Sequence, residues 1–323
     1  MSVSTLEFVQ SEIAYVNGEY TSVRDARVSV FDRGLLYGDG IYETLLSANG
    51  RVFRLDRHLD RLYASAAGIR LDVPVPGNEL REIVLETVRR NQLTDAYIRI
   101  VVTRGVGYPN MDPRAAVSPP TLIVLAHGRE QPASVAGTYR GDGLKVRVVS
   151  IRKTPSSCLP AQVKSLNYLN QILARLEAVE AGAGEGLLLD MQGLVTEGAG
   201  DNVFAIHKSF IVTPGVHNIL VGITRQTVIE LAEAAGYVVV ERDMTAYDLY
   251  TADEVFLCST YGGILPVSEL DGRAIGSVVP GPLTEELRER YEQLLEEDGE
   301  PVYQAEGDEL SHGGVHDPPK SRD

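Results

Sequence analysis

A chain of 323 residues, 44% of them apolar, is long enough to bury a sizeable core and divides by length into two domains. Its net charge of -15 argues against nucleic acid or an anionic membrane as a partner. With two cysteines, Cys158 and Cys258, and six histidines outside any H-x-x-H or H-E-x-x-H spacing, neither a disulfide framework nor a metal is expected. The first residues do not run basic then apolar, and no long apolar span follows. A cytoplasmic location is expected.

Residues 1–128 predict a small α+β domain. Ile13 to Val16, Asn17-Gly18 and the next short run suggest an opening hairpin, and Val28 to Phe31 alternates up to Asp32-Arg33-Gly34. Ile41 to Leu46 reads as a strand. Leu55, Leu59, Leu62 and Ala66 then mark one face of a helix, and Leu80, Ile83, Val84, Leu85 and Val88 mark a second. Strands are predicted at Tyr97–Val102 and Thr121–Leu125. The Gly/Pro stretch from Gly105 to Pro120 between them is long enough for a functional lid.

Residues 129–143 turn to Gly, Ser, Pro, Gln and charge, which makes them the interdomain linker. The second domain, 144–295, opens on the strand Val146–Val149. Leu166, Leu169, Ile172, Leu173, Leu176 and Val179 predict a helix with a buried face. Leu187–Leu189 and Leu194-Val195 predict a hairpin, Val203–Ile206 and Phe210–Val212 a strand pair, and Val238–Val240 and Val255–Cys258 buried strands. Residues 296–323 carry nine acids against two bases and few large apolar residues, and are expected to be a disordered tail.

The chain has five lysines against twenty-five arginines, so each lysine is informative. Lys145, Lys153, Lys208 and Lys320 sit in polar or turn-like surroundings that solubility explains. Lys164 follows Val163 and precedes the amphipathic helix. An amine near apolar surface has a lowered pKa and becomes a nucleophile toward carbonyls, which arginine cannot be. Lys164 is thus either a Schiff-base lysine or a snorkelling one. Glu197, at a strand end beside Gly198-Ala199-Gly200, is either a turn residue or a carboxylate for a protonated ring nitrogen. Thr224, at a helix start, either caps that helix or offers a hydroxyl and N–H groups to a phosphate. Arg61, by itself, reads as a solvated helix residue.

K-S-L-N-Y-L-N, E-G-A-G-D-N-V-F, T-P, L-V-G-I-T-R and A-D-E-V-F, in that order and spacing, resemble the fold-type IV pyridoxal-phosphate enzymes. That group holds branched-chain aminotransferases, D-amino acid transaminases and aminodeoxychorismate lyases. The resemblance runs from about Ala14 to about Leu295. It implies a small α/β domain plus a larger pseudo-barrel β domain with outer helices, and at least a homodimer with a first-domain loop lent across. It makes Lys164 the lysine that carries pyridoxal 5'-phosphate. Glu197 pairs with the pyridine nitrogen and Tyr168 with the ring hydroxyl. Gly222, Ile223 and Thr224 cup the phosphate, which Arg61 (in H-L-D-R-L-Y-A-S-A) and Thr260 also reach.

For the substrate, Tyr97-x-Arg99 followed by V-T-R-G-V-G resembles the carboxylate-binding pair of branched-chain aminotransferases. The R-x-H pair of D-amino acid transaminases is replaced here by Arg114-Ala115-Ala116. Two features depart from the branched-chain pattern. Tyr42-Glu43-Thr44 is closer to the D-amino acid enzymes, and the T-A-A turn becomes Thr260-Tyr261-Gly262, adding bulk and a hydroxyl. The expected activity is amino transfer from branched-chain L-amino acids to 2-oxoglutarate by a ping-pong route. D-amino acid transamination and aminodeoxychorismate lysis are the alternatives.

Overall fold

A computed structural model describes residues 13–129, 143–208 and 210–303. The first 128 residues supply β1 (Ile13–Val16), β2 (Glu19–Ser22), α1 (Arg33–Tyr37), β3 (Gly40–Ala48), β4 (Arg51–Val52), α2 (Leu55–Gly68), α3 (Gly77–Arg90), β5 (Ala96–Thr103) and β6 (Thr121–Gly128). These strands lie in one sheet, in the order β16-β4-β3-β5-β6-β1-β2, where β16 (Glu300–Pro301) returns from the far end of the chain. Period-two alternation sends Ile98, Ile100 and Val102 of β5 into the core against α2 and α3. Tyr97 and Arg99 are left for the other face. The apolar faces of α2 and α3 are buried as their periodicity predicts. Val28 to Phe31 forms no strand and is largely exposed, although its sequence alternates.

The chain resumes with β7 (Leu144–Arg152), α4 (Leu169–Glu180), β8 (Glu185–Leu189), β9 (Val195–Gly198), β10 (Asn202–His207), β11 (Phe210–Thr213), α5 (Ile223–Ala234) and β12 (Val238–Glu241). It ends with α6 (Ala246–Tyr250), β13 (Glu254–Ser259), β14 (Gly263–Leu270), β15 (Arg273–Ala274), α7 (Pro282–Glu297) and β16 (Glu300–Pro301). A nine-stranded sheet in the order β12-β11-β10-β13-β14-β7-β8-β9, with β15 on β14, curls into a half-barrel. One of its cores holds Leu144, Leu187, Val203 and Leu257; another packs Phe204, Phe256, Val228 and Leu287 under α5 and α7. The architecture is the mixed α+β, fold-type IV arrangement the motifs imply.

Two expectations change. The large apolar residues of α4 do not face the core: Ala174 and Ala178 do, packed on Val149 and Leu188. Leu169, Ile172, Leu173, Leu176 and Val179 are 43 to 67% exposed in the single chain. Small alanines let the helix lie close on β7 and β8, so the bulky stripe points outward. Residues 296–303, expected in the tail, are the last turn of α7 and the edge strand β16, which pairs with β4. Positions 304–323 and 130–142, the rest of that tail and most of the linker, lie outside the described residues. No helix among the described residues is long and apolar enough to cross a membrane.

Candidate active site

Lys164 lies where the two sheets meet. Its N–H donates to Ser65 Oγ of α2 (3.1 Å) and its carbonyl accepts from Tyr42 N of β3 (3.0 Å). Leu166 N donates to Gly40 O one step further on (3.0 Å). The approach is close: a Cβ on Gly68 would stand 2.8 Å from Val163 Cγ2. The Lys164 ammonium sits 4.7 Å from the Tyr42 ring and 6.0 Å from that of Tyr168, and the two rings meet edge to face at 5.3 Å. Desolvation, then the charge of Arg61, lowers the amine's pKa to about 8, with Glu43 and Glu197 opposing. Desolvation also holds the Tyr168 phenol well above its ordinary value, so it stays a donor.

Glu197, at the end of β9, is buried. Its Oε2 accepts from Leu220 N (2.9 Å) and, at 3.5 Å, from Asn202 Nδ2. Its Oε1 accepts from Lys153 Nζ at 2.5 Å. Lys153 is thus no solubility lysine. It is 5% exposed and turned inward from the end of β7, where its N–H donates to Leu189 O (2.9 Å). Its polar neighbours Arg152 and Thr154 conceal this in the sequence. These contacts fix the carboxylate of Glu197 in place at the wall of the cleft.

At the opposite end α5 begins without a side-chain cap, and Gly222, Ile223 and Thr224 line the cleft. Its first N–H groups and positive dipole end suit an anion. The approach is close here: a Cβ on Gly222 would lie 2.1 Å from Asn202 Oδ1, so that side chain would have to move. Thr260 and Arg61 line the same cleft. Arg61 uses Nε and Nη2 on the two oxygens of Glu43 (2.7 and 2.8 Å) and Nη1 on Val221 O (2.9 Å). Two of its five N–H donors remain for a ligand. Buried Glu43 also meets His58 Nδ1 at 2.8 Å. Burial would raise the Glu43 pKa, but the charge and hydrogen bonds of Arg61 and His58 lower it to about 2. Sequence reasoning missed this clamp, although H-L-D-R puts His58 and Arg61 one helical turn apart.

Tyr97, Arg99 and Tyr261 stand behind Tyr42 rather than in the cleft lining. Arg99 Cζ lies 4.5 Å from the Tyr42 ring centroid, and Arg99 Nη2 donates to the Tyr97 hydroxyl. Tyr97 stacks on His127 at 4.8 Å and receives the edge of Tyr261 at 5.4 Å.

An amine of lowered pKa, a paired buried carboxylate, a phenol and an uncapped helix start with a half-free arginine fit the groups of pyridoxal phosphate. Residues 40–270 match the family model described as amino-transferase class IV. A putative branched-chain-amino-acid aminotransferase of Methanocaldococcus jannaschii is 45% identical over 290 residues, covering 90% of this chain and 98% of that protein. A D-alanine aminotransferase of Listeria monocytogenes is 35% identical, over 89% of this chain and 98% of that one. The T.th. branched-chain amino acid aminotransferase, complexed with N-(5'-phosphopyridoxyl)-L-glutamate, superimposes with a TM-score of 0.83 at 33% identity, covering 89% and 95% of the two chains. The cofactor-shaped site and a family match over most of its length make this chain a pyridoxal-phosphate-dependent transaminase, a member of the class IV amino-transferase family.

Proposed function

We propose that this transaminase moves the amino group of branched-chain L-amino acids to 2-oxoglutarate by a ping-pong route. The observation that carries the reading is Arg99, which stands over Tyr42 and on Tyr97, a cation and phenols beside Lys164 for a substrate carboxylate. The 45% identity to a protein named for branched-chain amino acids supports it. Pyridoxal phosphate supplies the electron sink that stabilises charge at the substrate's Cα. Lys164 would hold the cofactor through Nζ, and the same Nζ would take the Cα proton of the substrate. Glu197 would pair with the ring nitrogen, Tyr168 would donate to the ring oxygen, and Arg61, Gly222, Ile223, Thr224 and Thr260 would bind the phosphate. Tyr42 faces the amino or 2-oxo acid, with Arg99, Tyr97 and Tyr261 in the layer behind it that completes the substrate site. The two sheets serve as small (1–128) and large (144–295) domains.

The working unit is a homodimer or a larger homo-oligomer. The exposed apolar stripe of α4 and the exposed Val30, Phe31 and Leu35 are surface of the kind that contacts between protein chains bury. A second substrate reading, D-amino acids, is favoured by Tyr42 of the Y-E-T segment lying 4.7 Å from the Lys164 amine. The test is the absorbance of the holoenzyme mixed with L-leucine or with D-alanine, no acceptor present. Conversion to the pyridoxamine form with L-leucine supports the first reading, and conversion with D-alanine alone replaces it by the second. A protein unchanged by either takes another donor or is a lyase. Arg99→Ala should raise KM for 2-oxoglutarate; an unchanged KM removes that role.

A further inference from the structure

We propose that Glu185 and Asp201 share one proton and so act as positioning residues for Glu197, tying the loop that follows it to β8. Losing that proton at alkaline pH loosens the loop. The proposal rests on the reading of Glu197 as the partner of the ring nitrogen. Gly198, Ala199, Gly200 and Asp201, which follow Glu197 directly, form one wall of the cleft. Glu185 lies beneath them at the start of β8. Its Oε1 accepts from Gly186 N (2.8 Å) and Ala199 N (3.0 Å), and its Oε2 accepts from Arg175 of α4. Asp201 closes the loop, its carbonyl accepting from Gly198 N at 2.7 Å. Both acidic side chains pack on Gly198: a Cβ there would stand 3.3 Å from Glu185 Cγ and 3.5 Å from Asp201 Cβ.

Glu185 is 1% exposed and Asp201 7%, and their carboxyl groups are within hydrogen-bond reach of each other. Two carboxylates that close and out of water do not both stay ionised, so the pair keeps one proton and titrates as a unit. Burial, then the charge of Asp201, pushes Glu185 up to about 8, with Arg175 opposing. The Arg175 side chain is 35% exposed, so water screens its charge and it does not take the proton's place. The other charged groups nearby are engaged elsewhere. Lys153 serves Glu197, Lys145 and Arg147 of β7 meet Glu269 and Asp271, Arg225 of α5 meets Glu241, and Glu177 of α4 holds Ser150. Burial, then Asp201, holds the Cys258 thiol of β13 well above its ordinary value, so it adds no charge. A second negative charge under the loop would push Asp201 from Glu185 and shift the wall that carries Glu197.

The test compares wild-type holoenzyme with Asp201→Asn, which keeps a donor toward Glu185 but cannot ionise, and with Asp201→Ala, which loses the tie. The infrared difference between about pH 6 and about pH 10 should show a protonated carboxyl in wild type, lost with a midpoint near 8, and none in either variant. Across that range the rate of pyridoxal phosphate release should rise on the order of tenfold more in wild type than in Asp201→Asn. At about pH 7, Asp201→Ala should release the cofactor on the order of tenfold faster than Asp201→Asn. If Asp201→Ala does not fold, Asp201→Leu, apolar and of similar reach, takes its place. A wild type without the protonated carboxyl overturns the inference. So does a release rate with the same pH dependence, within about twofold, in wild type and Asp201→Asn, or an equal rate in the two variants. Glu197→Gln separates the two readings: if it keeps the cofactor and the half-reaction of wild type, the ring-nitrogen role of Glu197 falls, whatever the infrared spectrum shows.

Discussion

The ammonium of Lys153 lies 2.5 Å from Oε1 of Glu197, both side chains under a tenth exposed. An ion pair taken out of water keeps its geometry, and losing one partner leaves an uncompensated charge. Lys153→Met should therefore destabilise the protein by about 3 kcal/mol and slow the amine half-reaction, because Glu197 loses the cation that holds its side chain in position. Lys153→Arg should restore most of both. Stopped-flow absorbance with L-leucine and a melting curve check it. A Lys153→Met protein with wild-type rate makes the pair purely structural.

The Lys164 amine, lowered to about 8 by desolvation and Arg61, makes the apoenzyme pH-sensitive. Between that value and the ordinary lysine range the unfolded chain binds more protons than the folded one, so apoenzyme stability should rise with pH across that window. The rate of pyridoxal phosphate uptake should rise with the neutral amine, its midpoint near pH 8. A midpoint about two units higher would mean the amine is as well solvated as a free lysine.

Glu43, lowered to about 2 by Arg61 and His58 against its own desolvation, also makes stability rise with pH, but in an acid window. Its contribution is full above the ordinary carboxylate pKa and is lost as pH falls through the folded value. Glu43→Gln leaves Arg61 without its counter-charge and should cost on the order of 3–5 kcal/mol near neutral pH. Denaturant unfolding at about pH 7 and about pH 3 is the check: the gap to wild type should narrow at the lower pH. A gap that does not narrow assigns the loss to packing.

Gly222→Ala places a methyl group where Asn202 Oδ1 stands, 2.1 Å away. Asn202 Nδ2 donates to Leu220 O at 3.1 Å, and Leu220 N serves Glu197, so the shift spreads to both ends of the site. Cofactor Kd should rise on the order of tenfold. Dialysis followed by the absorbance spectrum measures it, and full retention of the cofactor would remove Gly222 from the phosphate cradle.

The apolar stripe of α4 gives a test of assembly. Leu173→Glu and Leu176→Glu replace exposed residues of the single chain, so folding should be little changed while the assembly falls apart. Light scattering should report the mass of one chain for the double variant and at least twice that for wild type. Equal masses would mean that this face is not the interface.

Most local elements, and the residue types at each end of the candidate site, are legible in the order of the amino acids alone. The faces of α2 and α3, the alternation of β5, the isolated lysine and the E-G and G-I-T-R loops are properties of neighbouring positions, where period and turn chemistry act directly. Tertiary structure decided which groups meet. Lys153 and Glu197 are 44 positions apart and Glu43 and Arg61 are 18 apart, and each pair forms because two strands or a strand and a helix cross. A period likewise says that α4 has an apolar face without saying what covers it. Ala174 and Ala178 won the core because small side chains let backbone approach sheet, and that choice depends on the space left by β7 and β8.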